Sequence, residues 1–278
     1  MSRAVSIHIG MNRVDPSHYH DENGDPWDGY LSSCENDADI MRVIAGQAGF
    51  LPHMLLSAEA TRDAVIEAIR GHAGNLGAGD TCLISYAGHG GQLADRNGDE
   101  VDFLDETWCL YDGELLDDEL YRLWQEVAPG VRIILVSDSC HSGTIMRKIL
   151  GASLPDTGTT DSFSRLMPPS VAIATYRANR QFYDDLVQSD ERGLLGCGVL
   201  TLAACKDQQL SSGNAYNGFF TMALNAAWAN GATPSGYRPF TLRVDGLVPT
   251  HIRADQTAQL NMIGSCAPDF VNGGIFAH

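Results

Sequence analysis

The sequence contains few basic residues and no long apolar run. Its 278 residues include 18 Lys and Arg against 35 Asp and Glu, so the formal net charge is −17. Nucleic-acid binding is therefore not expected, because contact with phosphates needs a basic face. No run of about 18 apolar residues occurs, so no segment is expected to cross a membrane. The acidity instead favours cationic peptides or metal cations as ligands.

Paired cysteines are also missing. The seven cysteines are odd in number and scattered, without a C-x-x-C pair. This spacing fits neither a disulfide framework nor a zinc ribbon. The apolar stretch within residues 1–12 is too short and too polar for a signal peptide. A reducing, cytoplasmic setting is the resulting prediction.

What the sequence does contain is a regular alternation of short apolar runs with helical patterns. Residues 4–10, 81–87 and 131–136 predict strands, and residues 35–48 predict a helix with its apolar residues on one face. Thr61 is predicted to cap the next helix. This alternation predicts an α/β fold with a mostly parallel sheet and helices on both faces. The further predicted strands cover 50–56, 171–175, 199–204 and 259–263, and the further predicted helices cover 120–127 and 218–229.

Two stretches depart from this alternation. Residues 95–119 are strongly acidic and contain few clear elements. Residues 144–169 are crowded with Gly, Ser, Thr and Pro, which predicts a long exposed loop. A loop of this length in a compact domain is usually functional or mobile. The basic residues Arg147, Lys148 and Arg165 stand out there against an acidic background.

Two short motifs each follow a predicted buried strand. They are YAGHGG at residues 86–91 and DSCHSG at residues 138–143, and they contain His89 and Cys140. In open α/β sheets, ligands bind beyond the carboxyl ends of the strands. A thiol that attacks an acyl carbon needs a neighbouring imidazole to move its proton, and flanking glycines free backbone N–H groups for an oxyanion. Taken alone, a single cysteine such as Cys140 is more often a buried thiol of the core.

The two motifs resemble the His and Cys boxes of the metacaspases and their bacterial relatives, the orthocaspases, in the caspase superfamily. Cys140 lies 51 positions after His89, which matches the interval of about 50 that is typical of caspase-type peptidases. Residues 34–38 (CENDA) are similar to the family's early C-x-N-D segment. Residues 204–211 followed by 218–221 resemble the start of its small subunit.

The resemblance covers nearly the whole chain and implies its fold. That fold is a caspase-like three-layer sandwich with a mostly parallel, six-stranded central sheet and helices on both faces. We expect a single peptidase domain over residues 1–278. Within it, residues 1–143 are large-subunit-like, 144–192 form an exposed linker and 193–278 are small-subunit-like.

The resemblance also implies a catalytic dyad. Cys140 is the expected nucleophile, which forms a thioester acyl-enzyme, and His89 is the expected general base and acid. The backbone N–H groups of Gly90 and Cys140 are expected to form the oxyanion hole. The activity implied is that of a cysteine endopeptidase acting on protein or peptide substrates.

Four further residues match family positions around the pocket for the residue that precedes the scissile bond. They are Asp37, Asp138, Cys34 and Ala87. Two carboxylates facing one pocket suit a guanidinium, so we expect Arg to be preferred over Lys. Simpler alternatives remain for both acids, since Asp37 could favour a helix N-terminus and Asp138 could satisfy a turn.

Calcium is the one cofactor that the resemblance raises. Asp105, Asp117 and Asp118 match three calcium-ligand positions of the family. The fourth position is Arg147, which replaces an oxygen donor with a cation and weakens the expectation of calcium at this site. The chemistry of a Cys-His dyad requires no cofactor.

Family members commonly cut themselves after basic residues between the two subunits, which predicts self-processing in the linker. A caspase-fold pseudoenzyme that serves as an interaction module is an alternative, and so is a cysteine amidase acting on small substrates. A monomer is expected from the resemblance. The candidate self-cleavage residues are Arg147, Lys148, Arg165, Arg177, Arg180 and Arg192.

Overall fold

A computed structural model describes most of the chain. The described residues are 2–94, 104–139, 163–186, 193–205, 211–253 and 256–278. The strands are β1 (Ala4–Gly10), β2 (Leu51–Leu56), β3 (Thr81–Ala87), β4 (Gly90–Ala94), β5 (Leu104–Leu110), β6 (Gly113–Leu116), β7 (Arg132–Asp138), β8 (Phe163–Ser164), β9 (Gly198–Ala203), β10 (Ser212–Gly213) and β11 (Gln259–Gly264). The α-helices are α1 (Cys34–Gln47), α2 (Arg62–Ala73), α3 (Asp117–Glu126), α4 (Pro169–Ala178), α5 (Arg180–Leu186), α6 (Phe219–Trp228), α7 (Tyr237–Leu247) and α8 (Pro268–Asn272).

The centre of the molecule is a six-stranded sheet in the order β11-β9-β7-β3-β1-β2. Neighbouring strands pair in parallel except β11, which runs antiparallel to β9. The predicted α/β fold with a mostly parallel, six-stranded sheet is therefore confirmed. Among the described helices, none combines the length and the apolar character that crossing a bilayer requires.

Helices cover both faces of this sheet because its inner strands are apolar on both sides. Every residue of β3 is buried, as expected for a strand between two helical layers. Successive residues of β7 enter different cores. Ile133 packs in the cluster that contains Val65 of α2, whereas Ile134 packs with Ile44 of α1 and Phe220 of α6.

The start of α2 shows how local sequence sets an element. The side chain of Thr61 accepts a hydrogen bond from the Ala64 N–H at 3.2 Å. This bond satisfies one of the N–H groups that a helix leaves unpaired at its start. The predicted cap at Thr61 is confirmed.

The register of the sheet brings three strand ends to one edge. Gly10 is paired with Ala87, and Ala87 with Asp138, so β1, β3 and β7 finish side by side. His89 follows the end of β3 by two residues, and Ser139 follows the end of β7 directly. The carboxyl-terminal end of the sheet, where a ligand is predicted to bind, therefore contains Asp138 and the start of the His89 segment.

The predicted strand over 171–175 is wrong, because these residues lie in helix α4. Pro169 stands at the first position of α4, where its missing N–H costs nothing. A short apolar run does not by itself distinguish a strand from a buried helix. Part of the region predicted as an exposed loop is also buried, since Arg165 is 1% exposed and Met167 is 0% exposed.

The acidic region holds more structure than its composition indicated. Strands β4, β5 and β6 form a separate antiparallel sheet. Its acids are not all on the surface, since Asp105 and Glu114 are 0% exposed. Charges that face inward in a strand hide the alternation on which a strand prediction depends.

Candidate active site

The guanidinium of Arg165 lies between two buried carboxylates. Its Nη2 contacts Asp37 Oδ2, and its Nη1 is 3.1 Å from Asp138 Oδ1. The Nη1 group also donates to the Asp138 backbone carbonyl at 2.8 Å. Each of the three side chains is at most 2% exposed. The two acids predicted to share a pocket therefore lie together, and an arginine of the same chain fills the space between them.

Polar neighbours hold both carboxylates in place. The Ser211 and Thr221 hydroxyls each donate to Asp138 at 2.7 Å. The Gly218 N–H donates to Asp37 at 3.0 Å. Such hydrogen bonds offset part of the cost of burying charge. The backbone approaches closely here, because a Cβ atom on Gly218 would lie 2.6 Å from Arg165 Nη2.

The charges of this pocket depend on one another. Burial raises the pKa of Asp37, and the Arg165 charge opposes that rise. Burial alone would lower the pKa of Arg165, but the carboxylates outweigh it and hold that pKa well above its usual value. The arginine is therefore charged in place, where removing either carboxylate would leave it poorly compensated.

Cys34 and Ala87 line the same region. They pack together with Leu31 in a small buried cluster. Burial raises the pKa of the Cys34 thiol to about 12, although the nearby Arg165 charge opposes the rise. Cys34 is therefore an uncharged packing residue at neutral pH and not a nucleophile.

The backbone on both sides of the Arg165–Leu166 bond is also held. The Arg165 N–H donates to the Ser211 carbonyl at 3.0 Å, and the Arg165 carbonyl accepts from the Gly90 N–H at 2.9 Å. The Met167 N–H then donates to the Gly90 carbonyl at 2.9 Å. Leu166 forms a parallel bridge with Gly90, so the segment pairs with the start of β4 as an added strand would.

His89 is oriented from its Nε2 side. Nε2 lies 3.1 Å from the Gly29 carbonyl, which can only accept, so this nitrogen carries the proton. The ring also packs on Trp27, with centroids 4.9 Å apart. Nδ1 has no hydrogen-bond partner within the part of the chain that the structure describes. With the proton on Nε2, Nδ1 is the ring nitrogen left to accept another proton.

Burial sets the charge of His89. It lowers the pKa to about 4, the Arg165 charge lowers it further, and polar backbone groups of Gly29 and Leu166 raise it. The imidazole is therefore neutral at pH 7, as a general base must be. Cys140 lies outside the described residues, so its role as nucleophile stays a prediction.

The predicted calcium ligands are described in part. Asp105 is in β5, and Asp117 and Asp118 open helix α3. Within the described ranges, no three His, Cys, Asp or Glu side chains are grouped to hold a metal ion. These three acids alone do not fit a calcium site, and Arg147 lies outside the described residues.

Sequence reasoning missed several residues that shape the site. Ser211 and Thr221 lie in the two segments that resemble the family's small subunit, but the resemblance gave neither residue a role in the pocket. Gly29 and Trp27 lie in an irregular loop that carries no periodic signal. Their contacts with His89 come from tertiary packing, which a single sequence does not report.

Comparison with known proteins shows the family of the chain. The family description "Metacaspase, peptidase C14 domain" matches residues 9–148, which is half of the chain. The chain belongs to the metacaspase family. Metacaspase-1 of Schizosaccharomyces pombe is 30% identical over 193 residues, covering 60% of this chain and 45% of that protein. Metacaspase-2 of Arabidopsis thaliana is 28% identical over 223 residues, covering 72% and 49%. This metacaspase thus spans about half the length of these curated relatives.

Solved structures extend the likeness along the whole chain. The crystal structure of protein GSU0716 from Geobacter sulfurreducens is 41% identical and has a TM-score of 0.83, covering 99% of this chain and 98% of that one. Caspase-1 from Spodoptera frugiperda is 12% identical with a TM-score of 0.53, covering 95% and 86%. The second likeness shows the shared caspase fold alone.

Proposed function

We propose that this metacaspase is a cysteine endopeptidase that cleaves after Arg in preference to Lys. The observation that carries this proposal is the guanidinium bound between Asp37 and Asp138. The two carboxylates contact different nitrogens of one planar group, a geometry that the single ammonium of Lys does not reproduce. An Asp side chain in the same pocket would meet two negative charges, so cleavage after Asp is not expected.

The proposed reaction is acyl transfer through a Cys-His dyad. His89 Nδ1 takes the proton of the Cys140 thiol, and the sulfur attacks the carbonyl carbon that follows the pocket side chain. The N–H groups of Gly90 and Cys140 stabilise the oxyanion. His89 then gives the proton to the leaving amine, and water hydrolyses the thioester. The neutral His89 ring and the Gly90 N–H bound to an arginine carbonyl support this sequence of steps.

The proposal includes the setting of the enzyme. Its substrates are proteins or peptides, no nucleic acid or membrane takes part, and the enzyme acts as a monomer. The seven scattered cysteines do not form a disulfide framework, which favours a reducing, cytoplasmic setting. The dyad needs no cofactor, and a comparison of activity in calcium with activity in chelator tests that expectation. Self-processing in the linker is part of the same proposal.

Three fluorogenic peptides that differ only in the residue before the scissile bond test the specificity. We expect turnover with Arg, turnover about tenfold lower in kcat/KM with Lys, and none with Asp. Cys140→Ala and His89→Ala should each remove most activity, because the pair acts as a unit.

Each alternative has a distinct result. Turnover with Asp and not with Arg would overturn the pocket assignment. A His89→Ala variant with a near-normal rate would refute the dyad. If the folded protein with a free thiol cleaves neither peptides nor itself, a pseudoenzyme is favoured. If it hydrolyses only small amides, an amidase is favoured.

A further inference from the structure

We propose that the Arg165–Leu166 bond is the site at which this protein cuts itself, and that Arg165 keeps the specificity pocket closed to other substrates until it does. The inference rests on the proposed function and names its first substrate. The supporting observation is that Arg165 is bound in the way a substrate residue would be. Its side chain and the backbone on both sides of the Arg165–Leu166 bond are all held.

The side chain of Arg165 makes the contacts expected of a substrate arginine. It reaches both pocket carboxylates, and Ser33 lies 3.2 Å from its Nη2. A structural arginine needs only a partner for its charge. This one also aligns its own carbonyl with the Gly90 N–H, the group proposed to hold the oxyanion.

The leaving side of the bond is placed as well. The Met167 N–H binds the Gly90 carbonyl, so Gly90 contacts the chain before and after Leu166. The Leu166 backbone also contributes to the pKa of His89, which it raises. Leu166, the residue whose nitrogen would leave, is therefore a neighbour of the proposed general acid.

The other described candidate sites lack this arrangement. Arg177 is exposed in helix α4. Arg180 begins helix α5, where it forms an exposed ion pair with Asp184. A helical backbone does not present the extended peptide that the Gly90 and Ser211 contacts bind. Arg147, Lys148 and Arg192 lie outside the described residues.

The step balances with water as the only co-reactant. The bond between the Cys140 sulfur and the Arg165 carbonyl carbon forms as the bond to the Leu166 nitrogen breaks. The thiol proton passes through His89 to that nitrogen, which leaves as a free amine. Water then breaks the thioester, which restores the thiol and leaves an Arg165 carboxylate.

Burial implies that the cut occurs within one molecule. Arg165 is 1% exposed, so the active site of a second molecule has no access to it. The same burial excludes competing substrates, because a tethered group has an effective concentration on the order of mM. Peptide turnover should therefore appear after a lag that matches self-cleavage.

The test compares the wild type with Arg165→Gln, Arg177→Gln and Cys140→Ala by intact mass and N-terminal sequencing. We expect fragments of residues 1–165 and 166–278, with a new N-terminus reading Leu-Met-Pro-Pro. Cleavage should be absent in Arg165→Gln and Cys140→Ala and unchanged in Arg177→Gln. The wild-type rate constant should not vary over a hundredfold range of protein concentration.

Two further variants keep the test open if Arg165→Gln fails to fold. Arg165→Lys should cut at the same bond more slowly. Leu166→Pro keeps the arginine while changing the scissile amide, so it should stay intact and fail to turn over Arg peptides. A Leu166→Pro protein that is uncut yet fully active would overturn the closed-pocket part of the inference.

The outcomes separate the inference from the proposed function. Cleavage elsewhere, or no cleavage with full peptide turnover from the first mixing, overturns the inference and leaves the peptidase assignment standing. Cleavage of Cys140→Ala by added active enzyme at the same bond refutes a cut within one molecule. Neither self-cleavage nor peptide turnover overturns both.

Discussion

Replacing Asp37 with Asn should shift the substrate preference more than it lowers general activity. The substitution removes one of the two charges that face the pocket arginine. The matched control is Asp39→Asn, because Asp39 lies on the same helix but is exposed and pairs with Arg42 at the surface.

The size of the effect follows from the burial of the pair. Breaking one partner of a buried ion pair costs about 3–5 kcal/mol. Asp138 and its backbone carbonyl still contact the guanidinium, so the lower end applies. About 3 kcal/mol corresponds to a loss on the order of a hundredfold in kcat/KM for Arg peptides. A peptide with Gln at that position carries no charge and should lose less than about tenfold.

The assay is the ratio of kcat/KM for the Arg peptide to kcat/KM for the Gln peptide. This ratio does not depend on the fraction of enzyme whose pocket is open, because both peptides need the same active form. We expect it to fall at least about tenfold in Asp37→Asn and to stay constant in Asp39→Asn. An unchanged ratio in Asp37→Asn, or an equal fall in the control, would refute the role of Asp37.

Three further predictions concern pH and the orientation of the imidazole. Burial lowers the pKa of His8 to about 3 in the folded protein, so below about pH 6.5 the unfolded chain binds a proton that the folded protein does not. Protonation of His8 in the unfolded chain should therefore lower the free energy of unfolding by about 2 kcal/mol at pH 5, which a lower urea midpoint would show. Cleavage of Arg peptides should lose its base only as the pH falls through about 4, and an acid limb centred near 6.5 would contradict a buried neutral His89. Gly29→Ala should lower kcat about tenfold at constant KM, because Gly29 has φ +55° and a Cβ there would lie 3.0 Å from Trp27. The control Gly24→Ala, at φ +83° in open space, should leave kcat unchanged.

Much of the fold was predictable because its signals are local. The buried strands β3 and β7 are continuous apolar runs, and α1 and α2 show their buried faces in the spacing of their residues. The errors lie where local signals conflict. The run at 171–175 is short enough to suit either a strand or a helix, and inward-facing charges such as Asp105 and Glu114 hide the alternation of the small sheet.

The candidate site divides in the same way. The motifs around His89 and Cys140 could be read from residues adjacent in sequence, and the resemblance to the metacaspases implied the pocket role of Asp37 and Asp138. The groups that orient His89 could not, because Gly29 and Trp27 come from a loop about 60 residues earlier, brought there by packing.

The sequence by itself determined the sheet, the strand ends that carry the two motifs and the family of the chain. Only the tertiary structure decided what fills the pocket. Arg165 was one of six basic residues in a stretch predicted to be exposed, yet it lies 128 residues from Asp37 along the chain and contacts it directly. Two carboxylates buried together require a cation, and which cation supplies the charge depends on how distant segments fold over the site, which no local pattern records.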